Sequence, residues 1–335
     1  MICSYILSLY SKESFKLDRI TNGQPDTVVI TWKFTTTCNF ACEYCPPSLH
    51  DGRYGFPDFS AAVRFLKQLA SSNKKIYVDL LGGETTLWPK LIDFMTEIKN
   101  ISNNIIIQIS TNGSRTNAWW KRYCNANVEM NSVLHFTYHP ASIDDELFYK
   151  NLALVSEKHF TICSLMLDVK HIDKTIAFFE RIKSTLPVDC VYKMIRPLFD
   201  HNIDNMYTEK NLEKIRSHNH RFFYNRTKFS KTSNIIGESL PTKLFLNGEQ
   251  KDFGKMLINK EHEFTGWSCS AGQKRFIIGE DGSVFPCHPL YGKAKYRLGN
   301  INDTSVALLN DHIICPESYC SCLLDAAIGK FKNNE

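Results

Sequence analysis

Gly82, Thr111, His139, Asp168 and Arg196 stand 29, 28, 29 and 28 residues apart, each at or just beyond the end of a short apolar run rich in β-branched residues. A step of that length holds one strand, one helix and two short connections, so residues 28–200 read as a strand-helix series. The strand runs are "VVITWKF", "KIYVDLL", "NIIIQIS", "VLHFTYH", "TICSLMLD" and "VYKMIRP". Helical spacing is clearest in Phe59 to Leu69 and in Leu91 to Ile98. Strands joined through helices run parallel, and six of them in a curled sheet make a partial (βα)6 barrel of the α/β class. The five polar positions then come together at the C-terminal edge of that sheet.

The first step, Cys38 to Gly82, is longer, and its extra residues form a loop that contains "TTTCNFACEYCPP". Cys38, Cys42 and Cys45 stand there with three and then two residues between them. Thiolates select zinc, Cu(I) or iron-sulfur clusters, and a cube normally takes four cysteines, one for each iron. Three local thiols leave one iron open to an exogenous ligand, the logic that separates catalytic from closed structural metal sites. A zinc knuckle completed by a distant residue, or three incidental thiols, is the competing account of the triplet.

At 335 residues the chain has room for a main domain and a smaller one. Its 43% hydrophobic and 22% charged content is that of an ordinary globular protein, and a net charge of +5 does not by itself imply nucleic acid. No run approaches the roughly 18 apolar residues of a membrane helix, and the apolar start lacks the marks of a signal peptide, so a cytoplasmic protein without membrane partners is expected. Twelve cysteines in a reducing compartment point to metal or thiol chemistry and not to a disulfide framework. Eight fall in two groups; Cys3, Cys124, Cys163 and Cys190 are scattered, and the last two sit in or beside strand-like runs where a buried, inert thiol is expected.

From about His201 to Thr265 the alternation stops. This bridging region holds "KNLEKIRSHNHRFFYNRTKFSK", with seven Lys or Arg against one Glu. Beyond it "RFIIGEDGSVFPC" reads as a hairpin turning at Asp281-Gly282, followed by "CPESYCSC" with Cys315, Cys320 and Cys322. The expected division is 1–27 as an extension, 28–200 as the barrel, 201–265 as the bridge and 266–335 as a small cysteine-rich domain.

C-x3-C-x2-C after the first strand, "GGE" after the second and "STNG" after the third resemble the radical S-adenosylmethionine superfamily, whose barrel is TIM-like and incomplete. The resemblance implies a 4Fe-4S cluster on Cys38, Cys42 and Cys45 whose open iron chelates S-adenosylmethionine (SAM). One-electron reduction, by a donor such as flavodoxin or ferredoxin, then cleaves SAM to methionine and a 5′-deoxyadenosyl radical that takes a hydrogen atom from the substrate. Gly82 and Gly83 would let backbone approach the methionine moiety, and their carbonyls or Glu84 would accept from its ammonium. Ser110, Thr111, Asn112 and Gly113 would sit beside the adenosyl part. His139, Asp168 and Arg196 carry no transferable role; their strand-end placement makes them candidates for substrate positioning or proton transfer, with loop capping as the plain alternative.

The C-x12-G-x4-C spacing of Cys269, Gly282 and Cys287 resembles the opening of the SPASM and twitch auxiliary-cluster domains. Five thiols cannot supply the seven of the full SPASM pattern, so the resemblance implies one auxiliary 4Fe-4S cluster, on Cys269, Cys287, Cys320 and either Cys315 or Cys322. Structural zinc is the alternative there. The two resemblances cover roughly two-thirds of the chain.

Cofactor motifs do not identify the substrate. The expected function is a radical enzyme oxidising or remodelling a small polar metabolite, sugar-like or aminocyclitol-like, with the auxiliary cluster accepting an electron. The alternative is a maturase acting on a ribosomally made peptide. Only about 27 residues precede the first strand, too few for the leader-peptide-binding domain of many such maturases. A reading from another class is an RNA-binding protein using Lys210 to Lys231, where Phe222, Phe223, Tyr224 and Phe229 interleave with basic residues. A helix basic on one face and packed on the other is the plainer account, so no nucleic-acid partner is expected.

Overall fold

A computed structural model of the chain describes residues 19–21, 27–72, 74–126, 132–195, 207–217, 221–222, 244–251, 256, 261–303, 306–320 and 322–332. A short strand, β1 (Arg19–Thr21), precedes six longer ones: β2 (Thr27–Lys33), β3 (Lys75–Leu81), β4 (Ile105–Thr111), β5 (Ser132–Tyr138), β6 (Phe160–Leu167) and β7 (Asp189–Met194). β2 to β7 lie side by side in chain order, each parallel to the next. Each of the six expected runs overlaps a strand, and "KIYVDLL" coincides with β3 residue for residue.

A helix follows each of the first five: α1 (Phe59–Ala70), α2 (Leu91–Ile101), α3 (Asn117–Ala126), α4 (Asp145–Ser156) and α5 (Ile172–Thr185). Their starts are chemical. Asp58 caps α1 by accepting from Ala61 N at 2.8 Å, and Asp144 caps α4 by accepting from Leu147 N at 2.7 Å. Each helix buries one apolar stripe, as α1 does with Ala62, Phe65, Leu66 and Leu69. That stripe packs on alternate strand residues such as Ile30, Trp32, Val78 and Leu80.

The opposite face of the sheet has a second, smaller apolar cluster of Val29, Tyr77, Ile106, Val133 and Phe160. On this face Tyr77 donates to Gln108 at 2.7 Å, Gln108 donates to Asp79 at 2.7 Å, and His135 Nε2 lies 2.7 Å from Ser164 Oγ. The inner surface is therefore apolar at one end and polar towards the C-terminal edge.

The remaining elements are α6 (Glu209–Ser217), β8 (Arg221–Phe222), β9 (Leu244–Leu246), β10 (Glu249–Lys251), β11 (Ser268–Cys269), β12 (Arg275–Ile278), β13 (Ser283–Phe285), β14 (Gly299–Asn300), β15 (Ile313–Ile314), α7 (Leu323–Ala326) and β16 (Lys330–Phe331). β12 and β13 form the expected hairpin, with Gly282 at φ +80° in its turn. β12 also lies parallel against β2, with Arg275 opposite Val29, so the hairpin widens the barrel sheet itself. A second sheet has the order β10-β9-β1-β16-β11-β15, which ties residues 19–21 to the C-terminal segment. Among the described residues no helix is long and apolar enough to cross a membrane. Cys3, Arg196 and, within the basic aromatic stretch, residues 218–220 and 223–231 lie outside the described residues.

Candidate active site

A cavity of about 370 Å³ opens at the C-terminal edge of the parallel sheet, within the usual size range of ligand pockets. It is lined by Cys38, Cys42 and Cys45 with Phe40 and Tyr44 of their loop, by Gly82 and Gly83, by Ser110, Thr111 and Asn112, and by Thr137, His139, Met166 and Lys193. The three sequence motifs thus share one space.

Backbone bonds hold the cysteine loop there. Phe34 N donates to Leu81 O at 2.7 Å, Glu84 N donates to Thr37 O at 2.8 Å, and a turn closes from Cys45 N to Cys42 O at 2.9 Å. Burial pushes the Cys38 thiol up and the Cys45 thiol up to about 11, so an arriving metal must displace protons from them. Gly82 and Gly83 have φ of +96° and +38°; a Cβ on Gly82 would meet Thr35 O at 2.9 Å, and one on Gly83 would press closer still on Thr37 O. The room the glycines create is filled on that side by the cysteine loop's own backbone, a use the sequence reading did not anticipate.

Glu84 is fully buried and does not line the cavity. One carboxylate oxygen accepts from Thr86 N, from the Thr86 hydroxyl and from Thr111 Oγ1, and the other accepts from Asn112 N at 2.6 Å. These bonds occupy the carboxylate, so instead of facing an incoming ammonium it joins the turn after β3 to the end of β4. Asn112 Nδ2 in turn donates to Asn39 Oδ1 at 3.0 Å, reaching the cysteine loop.

His139 lines the cavity with Nδ1 2.5 Å from the Tyr44 hydroxyl and 3.5 Å from Cys42 Sγ. Its ring stacks on Tyr44 at 6.0 Å between centroids. Burial, and secondarily the charge of Lys193, pull its pKa down to about 4, so the imidazole is neutral near pH 7. Asp168 is outside the cavity lining: its carboxylate accepts from Lys170 N at 3.0 Å and pairs with His171 Nδ1 at 3.0 Å, capping the short turn that follows β6. The capping alternative describes it.

The C-terminal thiols gather in a second pocket. Cys269, Cys287, Cys315 and Cys320 line it, and Cys322 does not; Cys322 instead precedes α7 as its N-cap residue. Burial raises the Cys287 and Cys315 thiols and takes Cys320 up to about 12. By donor chemistry alone, four thiols lining one pocket suit an iron-sulfur cube or zinc, and the three of the first cavity a cube with an open iron. Among the described residues no three or more His, Cys, Asp or Glu side chains surround a single metal-ion position.

Tyr44, Lys193 and the inner-face groups Asp79, Gln108, His135 and Ser164 escaped the sequence reading. A signal existed. Asp79, Gln108, His135, Ser164 and Lys193 interrupt apolar strand runs at steps of 29, 27, 29 and 29 residues, the period of the fold itself.

The sequence model of the radical SAM superfamily matches residues 32–208, and that of SPASM, an iron-sulfur cluster-binding domain, matches residues 269–314. No curated protein matches the chain. Among solved structures, polyhistidine-tagged anSMEcpe with bound AdoMet gives a TM-score of 0.51 at 17% identity, over 83% of this chain and 78% of that one. Streptococcus suis SuiB bound to S-adenosylmethionine gives 0.48 at 14% identity over 83% and 64% of the two chains. BtrN in complex with AdoMet and 2-DOIA gives 0.37 at 16% over 82% and 78%. At these identities the likeness to anSMEcpe is one of fold.

Proposed function

The chain belongs to the radical S-adenosylmethionine superfamily, with a C-terminal SPASM iron-sulfur domain, and from that premise we propose that it takes a hydrogen atom from a small polar metabolite, whose radical then releases a proton to solvent and passes one electron to one auxiliary 4Fe-4S group. It is a radical SAM enzyme, and its cofactors are a 4Fe-4S cluster, SAM and iron-sulfur in the C-terminal domain. Bound on the open iron and reduced by one electron, SAM supplies the 5′-deoxyadenosyl radical.

One observation carries the reading: Cys38, Cys42 and Cys45 line the same cavity as Gly82, Gly83, Ser110, Thr111 and Asn112. In our assignment the three thiolates hold the cluster, the carbonyls of Gly82 and Gly83 accept from the SAM ammonium, and Ser110, Thr111 and Asn112 hold the adenosyl end. Glu84 fixes the last two segments relative to each other. His139, neutral and tied to Tyr44, orients that loop side chain against the cysteines. Asp168 has no part in the reaction in this reading.

Lys193 is the one Asp, Glu, Lys or Arg among the described residues that line the cavity. An ammonium in the wall disfavours an amine-bearing compound beside it and favours a hydroxyl or carboxylate, which narrows the metabolite to a hydroxylated or acidic one. Within this proposal 28–200 is the catalytic barrel, 266–335 the auxiliary-cluster domain, and a flavodoxin or ferredoxin the electron donor. A reducing, cytoplasmic setting, in which thiols stay available as ligands, belongs to the same proposal.

The test is 5′-deoxyadenosine formation from SAM under dithionite after anaerobic reconstitution. Wild type is expected to form it and Cys42→Ala to form none; equal formation by the two would overturn the assignment of the cysteine loop.

A further inference from the structure

Lys330 is 1% exposed, a depth at which lysine is almost never found unpaired. In the β11–β16 pair it stands directly opposite Cys269, and its side chain lines the pocket that Cys269, Cys287, Cys315 and Cys320 share. Its Nζ donates to the backbone carbonyls of Asp325, Ala326 at 3.2 Å and Ile328 at 3.4 Å, and lies 5.1 Å from the centre of the Phe264 ring. All of these partners are neutral.

The two acidic side chains of the pocket are committed elsewhere. Asp325 accepts from Arg275 Nε at 2.6 Å and, with its other oxygen, from His288 N at 3.2 Å. Glu317 pairs with Lys293 at 2.5 Å. The Arg275–Asp325 pair is itself 1% exposed on both sides and neutral overall. The pocket therefore holds four thiols, two spent carboxylates and one cation without an anionic partner among the described residues. Burying a lone charge costs several kcal/mol unless an opposite charge shares the space.

We propose that Lys330 is the internal counter-cation of the C-terminal cysteine site, balancing the negative charge that four thiolates bring to their iron-sulfur group and raising that group's reduction potential. The proposal rests on reading the C-terminal cysteines as iron-sulfur ligands. Reduction adds one electron, and thus one negative charge, to a pocket in which this ammonium is the one cationic side chain among the described lining residues; removing the ammonium makes the electron harder to accept. In the metal-free protein the same ammonium has only neutral groups around it, the thiols and the three carbonyls that accept from it.

The experiment uses the full chain carrying Cys38/Cys42/Cys45→Ala, so that only the C-terminal site is loaded, with Lys330, Lys330→Met or Lys330→Arg. Potentiometric titration followed by EPR is expected to show Lys330→Met at least tenfold weaker in its reduction equilibrium, about 59 mV lower for a one-electron couple, and Lys330→Arg close to the parent. Thermal unfolding gives an independent readout: Lys330→Met lowers the melting temperature of the reconstituted chain by more than that of the metal-free one, because loss of the three carbonyl bonds is common to both and loss of the counter-charge is not. A side chain that merely tethers the three carbonyls would lower both equally. Unchanged potential, or an equal loss of melting temperature in the two states, overturns the proposal and leaves the cluster assignment standing. A site that takes zinc and no iron overturns the assignment itself.

Discussion

The Glu84 carboxylate accepts from the Thr111 hydroxyl at 2.7 Å, across the ends of two adjacent parallel strands, and from Asn112 N at 2.6 Å. Glutamine at this position has one acceptor oxygen and would set an amide NH2 against a backbone or hydroxyl donor. A buried donor left without a partner costs about 1–3 kcal/mol. Glu84→Gln is thus expected to lower unfolding stability by about that amount and to weaken SAM binding, while the three-cysteine site still loads iron. Thermal melts and equilibrium SAM binding check this; wild-type SAM affinity in Glu84→Gln would contradict it.

Gly83 and Gly52 both have positive φ, but only Gly83 is hemmed in: its Cβ would press on the backbone oxygen of Thr37, whereas nothing lies within 4 Å of a Cβ on Gly52. Backbone cannot step aside as a side-chain tip does. Gly83→Ala should cost about 1–3 kcal/mol or more through overpacking and reduce iron loading at Cys38, Cys42 and Cys45. Gly52→Ala should cost only the strain of its left-handed backbone, about 1–2 kcal/mol, and load normally. Equal iron content in the two variants would show that the close approach does not hold the loop.

Much of the barrel was legible because its period is local: each strand-helix step is written in some 28 residues. The contacts that escaped are those in which distant segments meet. Nothing near Arg275 announces that it pairs beside Val29, and nothing near Arg19 announces Phe331. Glu84 reads as a ligand-facing acid until the adjacency of β3 and β4 shows Thr111 and Asn112 already bonded to it. Asp168 and its capped turn are local, and loop capping was the plain expectation for it. Between Cys315 and Cys322 spacing alone does not choose, because the choice depends on β15 pairing with β11, which sets Ile314 opposite Ser268 and brings Cys315 to the pocket.

That choice is testable by itself. Cys315→Ala removes one of the four thiols that line the C-terminal pocket, and Cys322→Ala removes none. Iron retained at the C-terminal site should fall sharply in Cys315→Ala and stay at the parent level in Cys322→Ala. The reverse pattern would put Cys322 in the ligand set.

His159 is 3% exposed, and burial holds its pKa down at about 4 against 6.5 for the free side chain. Above pH 6.5 it is uncharged folded or unfolded. As pH falls from 6.5 towards 4 only the unfolded chain takes up the proton, so stability declines, by roughly 3 kcal/mol over that window. His159→Phe should flatten the fall in unfolding free energy between pH 6.5 and 4.5; an unchanged slope would mean that the ring is not held neutral.

Iron and acid-labile sulfide per chain, measured after anaerobic reconstitution of wild type and of Cys38/Cys42/Cys45→Ala, test the two-site account most directly. The account predicts about eight irons falling to about four, two cubes and then one. About four falling to none, with zinc retained by the variant, would contradict it and make the C-terminal pocket a structural metal site.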